Sequence, residues 1–312
     1  MELDSRYDLA ISYDWEYDRD FVRLVEESAR ARGLRTAVIS PADAGRALEA
    51  VHSGRLGFRV FLDRASGASA DFVALQALAA EEGADVIEGL DKLRWASDKA
   101  TMHLEFIAGG IHTPYTLILP SHAAEPGFAL RPEALAPLGA PFVIKPANTT
   151  GGSLGVVADA VGPADVLSAR RTYPLDKYLL QEKVVPESKD GRRFWFRGFY
   201  VLGEVHLTWW DDRTHLYAEL GFDEAAAHSL IPVYGIVRAI ARVSRLRFFS
   251  TEVARDVRGR LLVVDYVNEI CDMRLRSAHP DGVPDAVVAR IADRIAAHAR
   301  GAAALERAAG ED

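Results

Sequence analysis

Along the first ninety residues, short apolar runs alternate with stretches in which apolar side chains recur every three or four positions. The runs at 7–12, 36–40, 58–62 and 84–87 predict strands. Behind the first of them Phe21, Leu24, Val25 and Ala29 fall on one helical face, and segments 42–51 and 70–82 also read as helices. Strands alternating with helices in this way imply a small parallel sheet covered on both faces. No GxGxxG follows the first strand, so a dinucleotide-binding reading has no support.

The pattern changes further on. A helix is predicted over 95–108, ending at Gly109-Gly110, and a strand starts near Thr113. A small α/β unit then holds a helix near 132–138, a hairpin over 141–158, a helix near 163–172 and a strand over 178–181. Beyond residue 186, a charged turn over 188–193 precedes strands 194–202 and 204–210, which turn at Gly203. A long helix over 222–243 leads to a second hairpin, 248–255 with 261–267, and a helix over 284–309 closes the chain. Three units follow: 1–94, 95–185 and 186–312.

The first hairpin holds the most informative chemistry. The apolar run Phe142-Val143-Ile144 ends in Lys145, the small polar stretch Asn148-Thr149-Thr150-Gly151-Gly152-Ser153 follows, and a second apolar run covers 154–157. Glycines let backbone N–H groups approach phosphate oxygens, and an ammonium adds a mobile point charge. The pattern suggests a nucleoside triphosphate site that is not a Walker loop, since there is no GxxxxGK[ST] and the lysine precedes the glycines.

Three other stretches give this hairpin a context. Ser97-Asp98-Lys99-Ala100 opens a helix, with Asp98 placed to cap it; Gln181-Glu182-Lys183-Val184 ends an apolar strand; and Asp265-Tyr266-Val267-Asn268-Glu269 ends another. In this order the parts resemble the ATP-grasp superfamily, over nearly the whole chain. The resemblance implies an N-terminal α/β domain with a parallel sheet, followed by a two-part α+β ATP-grasp domain with antiparallel sheets. It implies that Lys99 and Lys145 hold phosphates and that Gly151, Gly152 and Ser153 close over them. Glu182, Lys183 and Val184 would read adenine, and Glu187 the ribose, with Asp190 as its alternative. Arg197 shares a strand face with Trp195 and Phe199, so it either stacks on a ring or faces a charged ligand. The resemblance favours the second, at the transferring phosphoryl group.

By the same resemblance Asp265 and Asn268 hold magnesium, with Glu252 on the preceding strand as a second carboxylate; a salt bridge with Arg255 or another nearby base is the other reading of Glu252. Oxygen ligands of this kind suit a hard cation. The family's usual spacing is acidic-x-Asn, and this chain has one residue more. A β-bulge would bring both side chains to one face; otherwise Glu269 completes the site. The Pro-Gly turn common after this strand is absent. Arg274 and Arg276 are candidates for a substrate carboxylate, with plain surface charge as the alternative.

Composition narrows the picture. The net charge of −8 argues against nucleic acid as a partner. No run is long enough to span a membrane, no signal peptide is read, and the single cysteine, Cys271, fits a reducing cytoplasm. No histidine pair has metal-binding spacing. The resemblance thus implies an ATP- and magnesium-dependent ligase that joins a small-molecule carboxylate to an amine through an acyl phosphate. A small-molecule kinase on the same fold and a nucleotide-binding partner protein without turnover are the alternatives. A homodimer is compatible with the fold.

Overall fold

The computed structural model describes residues 5–65, 67–149 and 154–309. Its first sheet is parallel, as the alternation predicts. β1 (Ser5–Tyr13), α1 (Arg19–Ala31), β2 (Thr36–Ile39), α2 (Ala44–His52), β3 (Leu56–Arg64), α3 (Ala70–Glu81) and β4 (Asp85–Ile87) follow one another, and the strand order is β2-β1-β3-β4. Leu9 pairs with Thr36 on one side and Val60 on the other. Leu9, Ile11, Val60, Leu62 and Ile87 belong to one core, whereas Ala10, Ala37, Ile39 and Phe61 belong to another with α2 and α3. Burial of both faces explains why these strands read as unbroken apolar runs.

The helix expected over 95–108 is two helices, α4 (Leu90–Ser97) and α5 (Lys99–Ala108). Asp98 separates them because it serves as the N-cap of the second: its backbone is extended, and its carboxylate accepts from the N–H groups of Ala100 at 2.9 Å and Thr101 at 3.0 Å.

A four-stranded antiparallel sheet follows, with order β5-β8-β6-β7. Its strands are β5 (Thr116–Leu119), β6 (Phe142–Pro146), β7 (Val157–Ala160) and β8 (Tyr178–Glu182), with α6 (Pro163–Thr172) between the last two. The segment Pro132–Leu138 is a 3-10 helix with Pro137 inside it. The return strand of the hairpin starts at Val157, later than the apolar run suggests. Gly155 has φ +72, and a Cβ there would meet the Tyr173 ring at 2.5 Å, so the chain is still turning at this point.

The third sheet is antiparallel, with order β13-β12-β11-β14-β15. The small hairpin β9 (Ser188–Lys189) and β10 (Arg192–Arg193) leads into it through Asp190 and Gly191, both at positive φ. Its strands are β11 (Trp195–Val201), β12 (Glu204–Trp210), β13 (Tyr217–Glu219), β14 (Phe248–Arg255) and β15 (Leu261–Asn268). The single helix expected over 222–243 is split into α7 (Phe222–Ala227) and α8 (Ile231–Ser244). Ser229 turns the chain at φ +58, and Pro232 opens the second helix. Gly198 lets α8 lie close on β11, since a Cβ there would meet Val237 at 2.6 Å.

The two ends of β11 face different cores. Phe196 packs with α5 and α8, whereas Phe199 and Val201 pack with α1, β1, β3 and the closing helix α9 (Asp285–Ala309). This arrangement seats the parallel sheet against the third sheet. Among the described residues, no helix is long and apolar enough to cross a membrane.

Candidate active site

Lys145 lies on β6 opposite Leu179 and reaches from the second sheet to the third, where its Nζ donates to the Val264 carbonyl at 2.8 Å. Burial pushes its pKa down, the carboxylates of Asp265 and Glu252 oppose that shift, and Lys99 adds to it. Lys99 is the first residue of α5, and its backbone N–H donates to the Ala147 carbonyl at 3.0 Å. The capping residue Asp98 also pairs with Lys177. The helix start is thereby fixed beside the strand that carries Lys145.

Opposite the lysines lie Glu252 and Asp265, cross-strand partners on β14 and β15. The register shifts on both sides of this pair, so β15 holds extra residues there and Asn268 pairs with Ser250. Asn268 Nδ2 donates to Asp265 Oδ2 at 3.2 Å. Burial pushes the Asp265 pKa up, but Lys145, Lys99 and Arg197 outweigh it and hold the carboxyl below its ordinary value. Burial raises that of Glu269, one residue beyond Asn268.

Arg197 on β11 pairs with Glu252 at 2.9 Å and lies 4.8 Å from the centre of the Trp210 ring. Glu252 also accepts from Trp195 Nε1 at 3.0 Å, so its partner is Arg197 rather than Arg255. Burial lowers the Arg197 pKa, yet Glu252 leads the charges that raise it on balance. Its Nε is buried without a hydrogen-bond partner. Of the two sequence readings, the stacking on a ring is present, and the guanidinium charge is paired with Glu252. Three cations, Lys99, Lys145 and Arg197, thus gather around Asp265 and Glu252, with Glu269 close enough to Lys99 and Asp265 to interact with both.

Among the described residues, no group of three His, Cys, Asp or Glu side chains is arranged to hold a metal. The donors present still fit magnesium. That ion is usually held by one or two carboxylates together with phosphate oxygens, without an all-protein cage. Asp265, Glu252 and the Asn268 amide oxygen make such a set.

A cavity of about 150 Å³ lies at the end of β8, lined by Glu182, Lys183, Val184 and Val185 on one side and by Asp256, Val257, Arg260 and Leu262 on the other. Glu182 accepts from the Tyr115 N–H at 3.1 Å and lies 3.8 Å from Arg260. Lys183 pairs with Asp159 across the sheet. Glu187 is bound by Arg255 at 2.7 Å.

No protein-family model and no curated relative matches the chain. Solved structures do. The chain is similar to a RimK domain ATP-grasp protein from Sphaerobacter thermophilus, with 22% identity, a TM-score of 0.62, and coverage of 93% of this chain and 99% of that one. It is similar to the D-alanine–D-alanine ligase of Bacillus anthracis complexed with ATP, with 14% identity, a TM-score of 0.63, and coverage of 95% and 98%. It is also similar to the ATP-grasp ligase PsnB bound to a precursor peptide and AMPPNP, with 14% identity, a TM-score of 0.61, and coverage of 96% and 99%.

The chain has the ATP-grasp fold.

Within that fold, the residues expected at the phosphates and the cation come together from α5, β6, β11, β14 and β15. Gly151, Gly152 and Ser153 lie outside the described residues. The entry to their loop is held by a group the sequence reading missed: the buried Asp176 carboxylate accepts from the N–H groups of Asn148 at 3.0 Å and Thr149 at 2.9 Å, and from the Thr149 hydroxyl. The two substrate candidates are already engaged. Arg274 is held by Asp272 at 2.7 Å and Asp281 at 2.9 Å, and one nitrogen of Arg276 donates to the Tyr217 carbonyl.

A second missed feature joins three elements of the ATP-grasp core. The Tyr266 hydroxyl accepts from Gln181 Nε2 at 2.9 Å and lies 2.9 Å from His103 Nδ1. Each member neighbours a candidate: Tyr266 follows Asp265, Gln181 precedes Glu182, and His103 is one helical turn beyond Lys99. Burial pushes the His103 pKa down, which keeps the ring neutral.

Proposed function

We propose that the protein is an ATP-dependent carboxylate–amine ligase. The observation that carries this reading is the convergence of Lys145, Lys99 and Arg197 on Asp265 and Glu252 where the two antiparallel sheets meet. The likeness to ATP-grasp ligases, among them a PsnB complex with magnesium and ADP, supports it.

In the reaction, a substrate carboxylate oxygen attacks the γ-phosphorus of ATP, ADP leaves, and an acyl phosphate forms. An amine then attacks the acyl carbon, phosphate leaves with the bonding pair, and the amine loses a proton. Lys99 and Lys145 hold phosphate oxygens, and Arg197 offsets charge on the transferring group and on the acyl phosphate. Glu182, Lys183 and Val184 read adenine in the cavity they line, and Glu187 meets the ribose. Gly151, Gly152 and Ser153 cover the phosphates and keep water from the intermediate. Magnesium, held by Asp265, Asn268 and Glu252 together with phosphate oxygens, would supply positive charge at the phosphates. Arg276 is the more accessible anchor for a substrate carboxylate; Arg274 would first have to release an aspartate.

In this division, 1–94 helps hold the second substrate, 95–185 supplies the lid, and 186–312 supplies the cation side. The acidic net charge suits small-molecule substrates in the cytoplasm over nucleic acid. The test is incubation with ATP, magnesium, a panel of carboxylates and hydroxylamine. A ligase yields ADP, phosphate and a hydroxamate in equal amounts. A phosphorylated product with no hydroxamate would identify a kinase instead.

A further inference from the structure

We infer that Arg64, clamped by Asp18, is a positioning residue for the loop that leaves β15, and through that loop for the cation side of the site; the inference rests on the function proposed above. Arg64 is the last residue of β3 and pairs with Tyr13, at the carboxyl end of the parallel sheet. Arg64 and Asp18 are both buried. Arg64 Nε donates to Asp18 Oδ2 at 2.8 Å, and Nη2 donates to Oδ1 at 2.6 Å. The same Nη2 donates to the Cys271 carbonyl at 3.0 Å. The rings of Phe21 and Phe248 flank the guanidinium, with centres 5.0 and 5.8 Å away.

Stability alone does not account for this pair. Desolvation offsets much of the attraction in a buried ion pair, and apolar side chains of similar volume often serve as well. An apolar pair cannot, however, offer an N–H to Cys271. Residues 269–274 form neither helix nor strand, so their carbonyls need partners from elsewhere. Cys271 lies two residues beyond Glu269 and three beyond Asn268. Phe248, on the other wall, is the first residue of β14, the strand that carries Glu252. Arg64 thus ties the end of the parallel sheet to the strand pair bearing the candidate cation ligands. Only a planar fork can bind one carboxylate through two nitrogens and still reach a carbonyl.

The test uses the full chain with Asp18→Leu and Arg64→Met combined, which removes both charges at once and keeps the volume apolar, and Arg64→Lys alone as the second variant. Cys271 is the only cysteine, so its labelling by a thiol reagent reports on the loop without any nucleotide. Labelling should be roughly tenfold faster or more in both variants, the size expected for one lost charge-assisted hydrogen bond. Calorimetry with AMPPNP supplies the second readout. Affinity without magnesium should hold within about twofold, and the gain from adding magnesium should shrink roughly tenfold. If the double variant fails to fold, Arg64→Lys decides by the same two measurements. Unchanged labelling in a folded variant overturns the inference. Faster labelling with an unchanged magnesium gain also overturns it, because the contact would then be structural only. A wild-type protein that binds no AMPPNP would instead refute the ligase reading, and labelling would decide alone whether Arg64 positions the loop.

Discussion

Asn268 donates to Asp265 at 3.2 Å, although a spacing of three along a regular strand would put the two side chains on opposite faces. The irregular register around Glu252 resolves the conflict: β15 absorbs the extra residue as a bulge, and carboxylate and amide meet on one side. The unusual spacing is therefore compatible with a working cation site.

Asp265→Asn should cost more in magnesium-dependent turnover than in nucleotide binding. The change keeps size but removes the anionic oxygen, and it takes from Lys145 the carboxylate that most opposes the effect of its burial. ATP consumption should fall about a hundredfold or more, as for loss of a group acting on transition-state charge. Asn268→Ala should raise the magnesium concentration needed for half-maximal rate. Rates measured against magnesium check both; a wild-type curve for Asp265→Asn would move the cation site to Glu252 and Glu269.

Arg197→Lys should retain the ion pair with Glu252 and lose the fork. ATP consumption should fall by about ten- to a hundredfold with little change in AMPPNP affinity, given the role proposed for the guanidinium at the transferring group. Loss of affinity without loss of rate would assign Arg197 to ground-state binding instead.

Asp176→Ala should release the start of the glycine loop. The carboxylate is buried and accepts from two backbone N–H groups, and stranding them costs about 1–3 kcal/mol. Hydrogen exchange at Asn148 and Thr149 should accelerate while exchange in β11 does not. Unchanged protection at those two amides would mean that other groups hold the loop.

Much of the fold was legible because it is written in local periodicity. β1 to β4 appear as apolar runs, the hairpins turn at Gly203 and at 256–259, and α6 occupies the segment read for it. The errors have local physical causes. Asp98 caps one helix and so ends another, and Ser229 and Pro232 divide a segment whose apolar pattern is continuous. β13 was missed because Tyr217–Glu219 is three residues long and has no apolar run of its own. Motif order singled out the lysines and Asp265, and the structure brings them together. Asp18 with Arg64, Asp176 with the loop entry, and the Tyr266–Gln181–His103 contacts join residues far apart in the chain, and no spacing rule encodes such pairs.

The seam between the parallel sheet and the rest should weaken in acid. Asp85 bonds to His298, is paired with Arg247, and has its pKa held down at about 2, with the His298 hydrogen bond the largest cause. A depressed carboxyl pKa stabilises the fold fully above the unfolded value of 3.8, and that contribution fades as pH falls towards 2. Asp85→Asn should therefore be less stable than wild type at pH 5, and the difference should narrow by pH 2.5. Denaturant unfolding at both pH values measures it; a constant difference would show that the Asp85 charge is not the cause.

The most direct measurement of the central claim is calorimetric titration of wild type and Lys145→Met with AMPPNP and magnesium. Lys145 bridges the two sheets at the proposed phosphate site, and a charge-assisted contact to phosphate contributes about 1.5–3 kcal/mol. The account predicts saturable binding to wild type and binding weaker by roughly ten- to a hundredfold in Lys145→Met, with the melting temperature little changed. Equal affinity in the two proteins, or no binding to either, would contradict it.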